Sequence, residues 1–260
     1  MSKKKSNATR RAEQLATHER AAEIRKAHER KERRRRNGFI AAGVVVVLAL
    51  VLGIGYAVQS SRDTTGQVAT PPAGVVDDYA VPRGDPEAPV TVTIYEDFMC
   101  PFCGQFEAAS RDLLSSYVDA GDVRVEYRVL SFLDRASNGT DYSTRSMNAL
   151  AVVLDTAGPE VAWEFHDLLF ENQPEEGTDG LSDDELVDLA VEAGATRDRV
   201  AGPIEQRKFE QWVRNATDAA NRAGVSSTPT VMVDGEPLEA TTIDALVKEL
   251  DEAVQAALGG

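Results

Sequence analysis

The chain predicts an α/β fold interrupted by a helical insertion and preceded by one N-terminal transmembrane helix. Three observations carry that prediction. An alternating β-branched run, Pro89 to Tyr95, leads straight into the only two cysteines, Cys100 and Cys103, which open a helical pattern. From Thr140 to Lys208 the pattern is helical only, and strand signals return after it. Far upstream, Phe39 to Val58 is a run of 20 residues without a charge.

That run is long enough to cross a hydrocarbon core of about 30 Å as a helix. Charge divides around it. Residues 1–37 hold 14 Lys or Arg against 5 Glu, a net of +9, and the remainder holds 14 against 38, a net of −24, which together make the −15 of the whole chain. Arg33 to Arg36 stand directly before the run and only Arg62 just after it, so the positive-inside rule predicts a cytoplasmic N-terminus and an extracytoplasmic acidic part. The competing reading, a cleaved signal peptide, would need a short basic region and an apolar core of about 7 to 15 residues. The basic region here is long and the apolar run full length, which favours an uncleaved signal-anchor. The expected organisation is a basic cytoplasmic tail over 1–38, a transmembrane helix over 39–58, a flexible linker over 59–74 and a folded domain holding both cysteines over 75–260. The tail pairs Glu29 with Arg33 and Glu32 with Arg36 at helical spacing, and it is read as a topology determinant resting on anionic membrane lipid. Nucleic-acid binding, the other use of such a run, is not expected.

Within the exported part, Val75 to Val81 predicts a short edge strand, and Gly84-Asp85-Pro86 turns the chain into the strand before the cysteines. Cys103, Phe106, Ser110, Leu113 and Tyr117 recur at helical spacing, and Gly121-Asp122 breaks that helix. Val123 to Phe132 alternates as a second core strand, giving a strand, helix, strand unit. The helical insertion, about 140–208, divides into Tyr142 to Ala157, Glu160 to Glu171, Ser182 to Ala193 with a capping box, and Thr196 to Gln206, which Gly202-Pro203 should bend or split. It is expected to cover one face of the sheet. Phe209 to Ala223 forms a further helix that stops at Gly224. Val225 to Val233 reads as a strand with Pro229 at its mouth, Asp234-Gly235 as a type I′ hairpin, and Pro237 confines the return strand to an edge. Thr242 to Leu258 closes the chain as an amphipathic helix.

Chemistry concentrates on Cys100-Pro101-Phe102-Cys103. Pro101 suits the first turn of a helix, where its missing N–H has no partner anyway, so Cys100 caps the helix and Cys103 lies one turn inside. Free N–H groups and partial positive charge at a helix start favour Cys100 as a thiolate, the attacking form, while Cys103 on the apolar face is shielded. A reversible Cys100–Cys103 disulfide is sterically reasonable. The bland alternatives are a static bridge and a metal site. A structural zinc site usually takes about four ligands from two such pairs, and the chain has no second pair. No metal and no cofactor are expected.

Taken together these residues resemble the thioredoxin superfamily, and within it the DsbA-like thiol–disulfide oxidoreductases with a helical insertion. The resemblance spans about Val75 to Leu258 and is carried by Tyr95 to Cys103, by Trp163 to Gln173, and by Gly224 to Thr230. It gains specificity because Thr228-Pro229-Thr230 follows the cysteine pair by 126 residues (229 minus 103). It implies a thioredoxin-like fold, a cis Pro229 beside the sulfurs, Thr228 presenting its backbone to a substrate chain, Phe102 at the substrate surface, and attack by Cys100. It also implies the redox chemistry of a disulfide-forming enzyme acting on exported proteins with free cysteines, reoxidised by a quinone-linked membrane thiol oxidase of the DsbB or vitamin K epoxide reductase type. Two departures bear on redox strength. Phe102 stands where DsbA has a histidine, and Glu96 with Asp97 adds negative charge close in sequence, which should oppose thiolate formation.

His166 is the one histidine outside the tail, and its neighbours Ala162, Phe165, Leu169 and Phe170 give it a structural reading. Trp163 and Trp212 read as core, and Glu175-Glu176 and Asp183 to Glu185 as solvated faces. The alternative functions are an extracytoplasmic reductase or isomerase, since direction depends on potential and partners, and a membrane-tethered binding or chaperone module with incidental cysteines.

Overall fold

The computed structural model describes residues 69–259. The predicted tail, the apolar span 39–58 and most of the linker lie outside the described residues. Among the described residues no helix is long and apolar enough to cross a membrane.

The elements in chain order are β1 (Val81–Arg83), β2 (Val90–Glu96), α1 (Pro101–Ala120), β3 (Val123–Val129), α2 (Tyr142–Ala157), α3 (Pro159–Glu171), α4 (Asp183–Glu192), α5 (Arg197–Glu205), α6 (Glu210–Arg222), β4 (Thr230–Val233), β5 (Glu236–Pro237) and α7 (Ile243–Leu258). One five-stranded sheet has the order β1-β3-β2-β4-β5. Only β2 and β3 run parallel, joined through α1, and the other pairs are antiparallel. The parallel pair sits near the middle because its strands must be buried on both sides. In β2 the residues Val90, Val92, Ile94 and Glu96 share the fully buried face, as a period of two requires.

The termini of several elements follow from named residues. Pro101 occupies the first position of α1, and Gly121, at φ +78°, ends it in the left-handed region that glycine enters without penalty. Ser182 caps α4, donating from its own N–H to Glu185 while its side chain accepts from the Glu185 N–H, the predicted capping box. The hairpin between β4 and β5 places both Asp234 (φ +50°) and Gly235 (φ +85°) at positive φ, as a type I′ turn demands. Asp234 also accepts from the Thr91 N–H, at 2.9 Å, which ties the turn to β2.

Several boundaries differ from the sequence reading. The edge strand is Val81–Arg83 rather than Val75 to Val81, and the earlier part forms only an isolated Val76–Ala80 bridge, with Asp77 and Asp78 both at positive φ. β3 ends at Val129 rather than Phe132 because its pairing with β2 ends at Glu96–Val129. β4 begins at Thr230 rather than Val225, since the chain before it holds the Thr228–Pro229 turn. α5 runs through Pro203 without interruption. The last residues assigned to the linker are anchored: Pro72 is buried, and the Ala73 N–H donates to Asp155 Oδ1 at 3.0 Å.

The insertion also packs differently from a sheet cover. α2 buries thirteen of its sixteen residues and contacts α3, α4, α5 and α6, so it is the centre of a helical layer. Within that layer α3 contacts the edge strand β1 and touches α1, and α6 contacts β3. The buried polar residues of α2 are hydrogen-bonded within the layer, Ser146 donating to the Tyr142 carbonyl, Asn148 accepting from the Phe209 N–H and Arg145 donating to Asp183, as burial of polar groups requires.

Candidate active site

Cys100 is the N-cap of α1, with φ −79° and ψ 114°, and Cys103 lies in its first turn. Both are free thiols and both are buried, Cys103 more deeply. Opposite them the Thr228–Pro229 peptide bond is cis. The Thr228 carbonyl lies 3.4 Å from Cys100 Sγ and accepts from the thiol. Phe102 points outward, 59% exposed, where large apolar side chains seldom stand. Together with Thr228, Pro229, Thr242, Ile243 and Leu246 it lines a groove of about 590 Å³ beside the sulfurs. Thus Cys100, Cys103, Phe102, Thr228 and Pro229 all meet at one place. The groove's far wall, from Ala240 into α7, carried no signal in the sequence.

The two thiols titrate in opposite directions. Cys100 is lowered to about 6, first by the hydrogen bond from the Cys103 thiol, then by the Thr228 side chain and by the backbone N–H groups of Cys103 and Phe102, with burial opposing. Cys103 is raised well above the usual thiol range by burial, by its bond to Cys100 and by the negative charges of Cys100 and Glu96. One sulfur is therefore a thiolate near neutral pH while its neighbour keeps its proton. The expectation that Glu96 and Asp97 hold Cys100 up needs correction. Glu96 acts on Cys103 instead, and the dominant influences on Cys100 include neither carboxylate.

Both acids are buried and committed elsewhere. Asp97 accepts from the Met99 N–H (2.9 Å), the Leu133 N–H (2.9 Å) and the Ser143 hydroxyl (2.7 Å), which joins the active-site turn to the segment after β3 and to α2. Burial outweighs these bonds and lifts it to about 7. Glu96 Oε1 lies 2.6 Å from His166 Nε2, and His166 Nδ1 lies 3.1 Å from Asp167. Burial raises Glu96 and works against charge on His166, but the Glu96 and Asp167 carboxylates win and lift His166 to about 10. The pair holds a proton between a carboxylate and an imidazole, packed among Phe98, Tyr127 and Phe170. His166 is thus structural, as read, but its partner was not foreseen. Glu107, one turn beyond Cys103 and equally buried, brings a further carboxylate to this pair. The three ligand atoms lie within 4.8 Å of one another, a spacing that could hold a metal ion. Arg111 Nε lies 3.3 Å from Glu107 Oε1, while Glu107 Oε2 is buried with no hydrogen-bond partner among the described residues.

Gln173, at the end of the Trp163 to Gln173 stretch, reaches the site directly. Its amide nitrogen lies 2.9 Å from the Cys100 carbonyl and 3.1 Å from the Phe98 carbonyl.

A family model described as Thioredoxin matches residues 77–252. The chain belongs to the thioredoxin family. Among solved structures, reduced DsbA from Mycobacterium tuberculosis is 30% identical, with a TM-score of 0.57, over 69% of this chain and 98% of that one. Disulfide bond formation protein D of Bacillus subtilis is 25% identical over 60% of this chain and 68% of that protein. Na(+)/H(+) antiporter NhaA 3 of Salinispora tropica is 36% identical over 59% of this chain. The match spans only 21% of that antiporter's length, so the likeness is confined to one segment of a longer protein.

Proposed function

We propose that this thioredoxin-family chain is a membrane-anchored thiol–disulfide oxidoreductase that forms disulfides in exported proteins through Cys100 and Cys103. The observation that carries it is the juxtaposition of a helix-capping Cys100, lowered to about 6, with the backbone carbonyl of Thr228 next to cis-Pro229. The similarity to DsbA and to a disulfide bond formation protein supports the direction.

In the oxidised enzyme a substrate thiolate attacks Cys100 Sγ. A bond forms between the substrate sulfur and Cys100, the Cys100–Cys103 bond breaks, and Cys103 leaves as a thiolate that takes a proton. A second substrate thiolate then attacks the substrate sulfur of the mixed disulfide and releases Cys100 as a thiolate, a good leaving group because its pKa is low. Two electrons pass from the substrate thiols to the enzyme pair. Phe102 and the groove beside it take the substrate chain, and the Thr228 carbonyl is placed to accept from its backbone N–H. The electrons leave through a quinone-linked membrane thiol oxidase of the DsbB or vitamin K epoxide reductase type. Residues 39–58 anchor the chain, with 1–38 cytoplasmic against the lipid surface and the catalytic part outside.

Equilibrating the full chain in glutathione buffers tests the direction. The expected reduction potential lies between about −270 mV, that of thioredoxin, and about −120 mV, that of DsbA. A value at or below thioredoxin's would mean a reductase.

A further inference from the structure

Gln173 lies just beyond α3, after its C-cap Asn172, within the helical insertion and far in sequence from the cysteines. Its side chain nevertheless ends between two backbone carbonyls of the active-site turn, those of Phe98 and Cys100. Two carbonyl acceptors can be met only by the NH₂ end of the amide, so the orientation is dictated by chemistry. The Cys100 carbonyl also accepts the first bonds of α1, from the N–H groups of Cys103 (3.0 Å) and Gly104 (3.2 Å). Three donors therefore converge on one oxygen, and they hold the peptide plane that follows Cys100.

That plane decides where the nucleophile points. Cys100 has a non-helical backbone, with ψ 114°, at the junction between an extended segment and a helix, so its ψ is set by the bonds that its carbonyl accepts. In this structure its sulfur lies 3.4 Å from the Thr228 carbonyl and beside the Cys103 thiol that stabilises its charge, and both placements depend on that angle.

Gly104 makes the arrangement conditional. A Cβ built there would stand 2.3 Å from Gln173 Oε1 and 3.0 Å from Cδ, so any side chain at 104 displaces the amide. The atom displaced is the far end of a flexible side chain, so the helix itself need not move. A glycine in a helix interior costs about 1 kcal/mol relative to alanine, and here it makes room for Gln173.

We infer that Gln173 is a positioning residue for the nucleophile: with Gly104 as its seat, it clamps the Phe98 and Cys100 carbonyls and so couples the helical insertion to the orientation of Cys100. The inference rests on the proposed redox function of the cysteine pair, and the experiment separates the two. In the full chain, Gln173→Ala, Gly104→Ala and the double variant are compared with the parent for thiolate absorbance of Cys100 against pH and for the rate of disulfide exchange with a small thiol. Of the two bonds lost, the one to the Cys100 carbonyl acts on the nucleophile, and loss of one such hydrogen bond corresponds to about a fivefold change. Each single variant should slow exchange about that much and move the thiolate midpoint upward, and the double variant should do no more than either single, because both remove the same clamp. Helix stability would move the other way in Gly104→Ala, which replaces glycine with a better helix former, so a shared loss of reactivity cannot be a general unfolding effect. Unchanged rate and midpoint in both single variants overturn the inference while leaving the redox function standing, as do additive effects in the double variant. An inert parent chain overturns the redox function itself.

Discussion

Cys100 and Cys103 share an environment yet are driven apart, and the reduced enzyme should report that as a pH dependence. Alkylation of Cys100 is expected to rise through about pH 6 and level off above it, measured by the initial rate with a thiol reagent. The folded value lies below that of an unfolded cysteine, about 8.5. The thiolate therefore contributes stability to the reduced form that is present at alkaline pH and is lost as pH falls through about 6. The disulfide form has no such group, so reduced minus oxidised stability should grow between about pH 6 and 8, read from denaturant unfolding of both forms. Phe102 is the residue to change for redox strength. Phe102→His should lower the Cys100 midpoint and make the protein more oxidising, and unchanged thiolate absorbance and glutathione equilibrium would count against that. Trapping separates the sulfurs: Cys103→Ala should accumulate mixed disulfides with exported proteins on non-reducing gels, and Cys100→Ala should not.

At the level of elements, the active-site turn is held from three directions by one carboxylate. Asp97 binds the turn at Met99, the segment after β3 at Leu133, and α2 at Ser143. Asp97→Ala leaves those donors without this acceptor, and an unsatisfied buried group costs about 1–3 kcal/mol. A loss of about 3 kcal/mol is expected in urea unfolding, against about 1 kcal/mol for Ser143→Ala, which removes a single bond. Equal losses would mean that the backbone bonds to Met99 and Leu133 contribute little. Glu96 has an analogous origin. It follows Val90, Val92 and Ile94 on the inward face of β2, so the strand's own alternation carries a carboxylate into the core. The sequence reading ended that strand at Tyr95 and so did not place Glu96 in the core, and its partner His166 stands 70 residues away on α3.

For the whole chain the expected arrangement is a cytoplasmic start and an exported redox domain, argued from Arg33 to Arg36 and the charge-free span. A reporter fused after Gly260 should be active only outside the cytoplasm; activity confined to the cytoplasm would reverse the orientation. Among the described residues the helical layer centres on α2. Attached to the sheet through α3 on β1 and α6 on β3, that layer brings Gln173 to Cys100 and His166 to Glu96, which makes it part of the site as well as of the architecture.

The sequence alone determined the local features: the cysteine pair at a helix start, the turn glycines, the capping box at Ser182, the Asp234-Gly235 hairpin and the edge placement of Pro237. Each depends on backbone preferences and periodicity within a few neighbouring residues, and so can be read without coordinates. Tertiary structure decided what joins distant residues. It set Thr228 beside Cys100, His166 against Glu96, Gln173 on the Cys100 carbonyl, and Ala240 to Leu246 across from Phe102. It also moved the influence of Glu96 from Cys100 to Cys103. Proximity in sequence does not measure electrostatic coupling, because a strand points alternate side chains to opposite faces and burial decides which charge a sulfur feels.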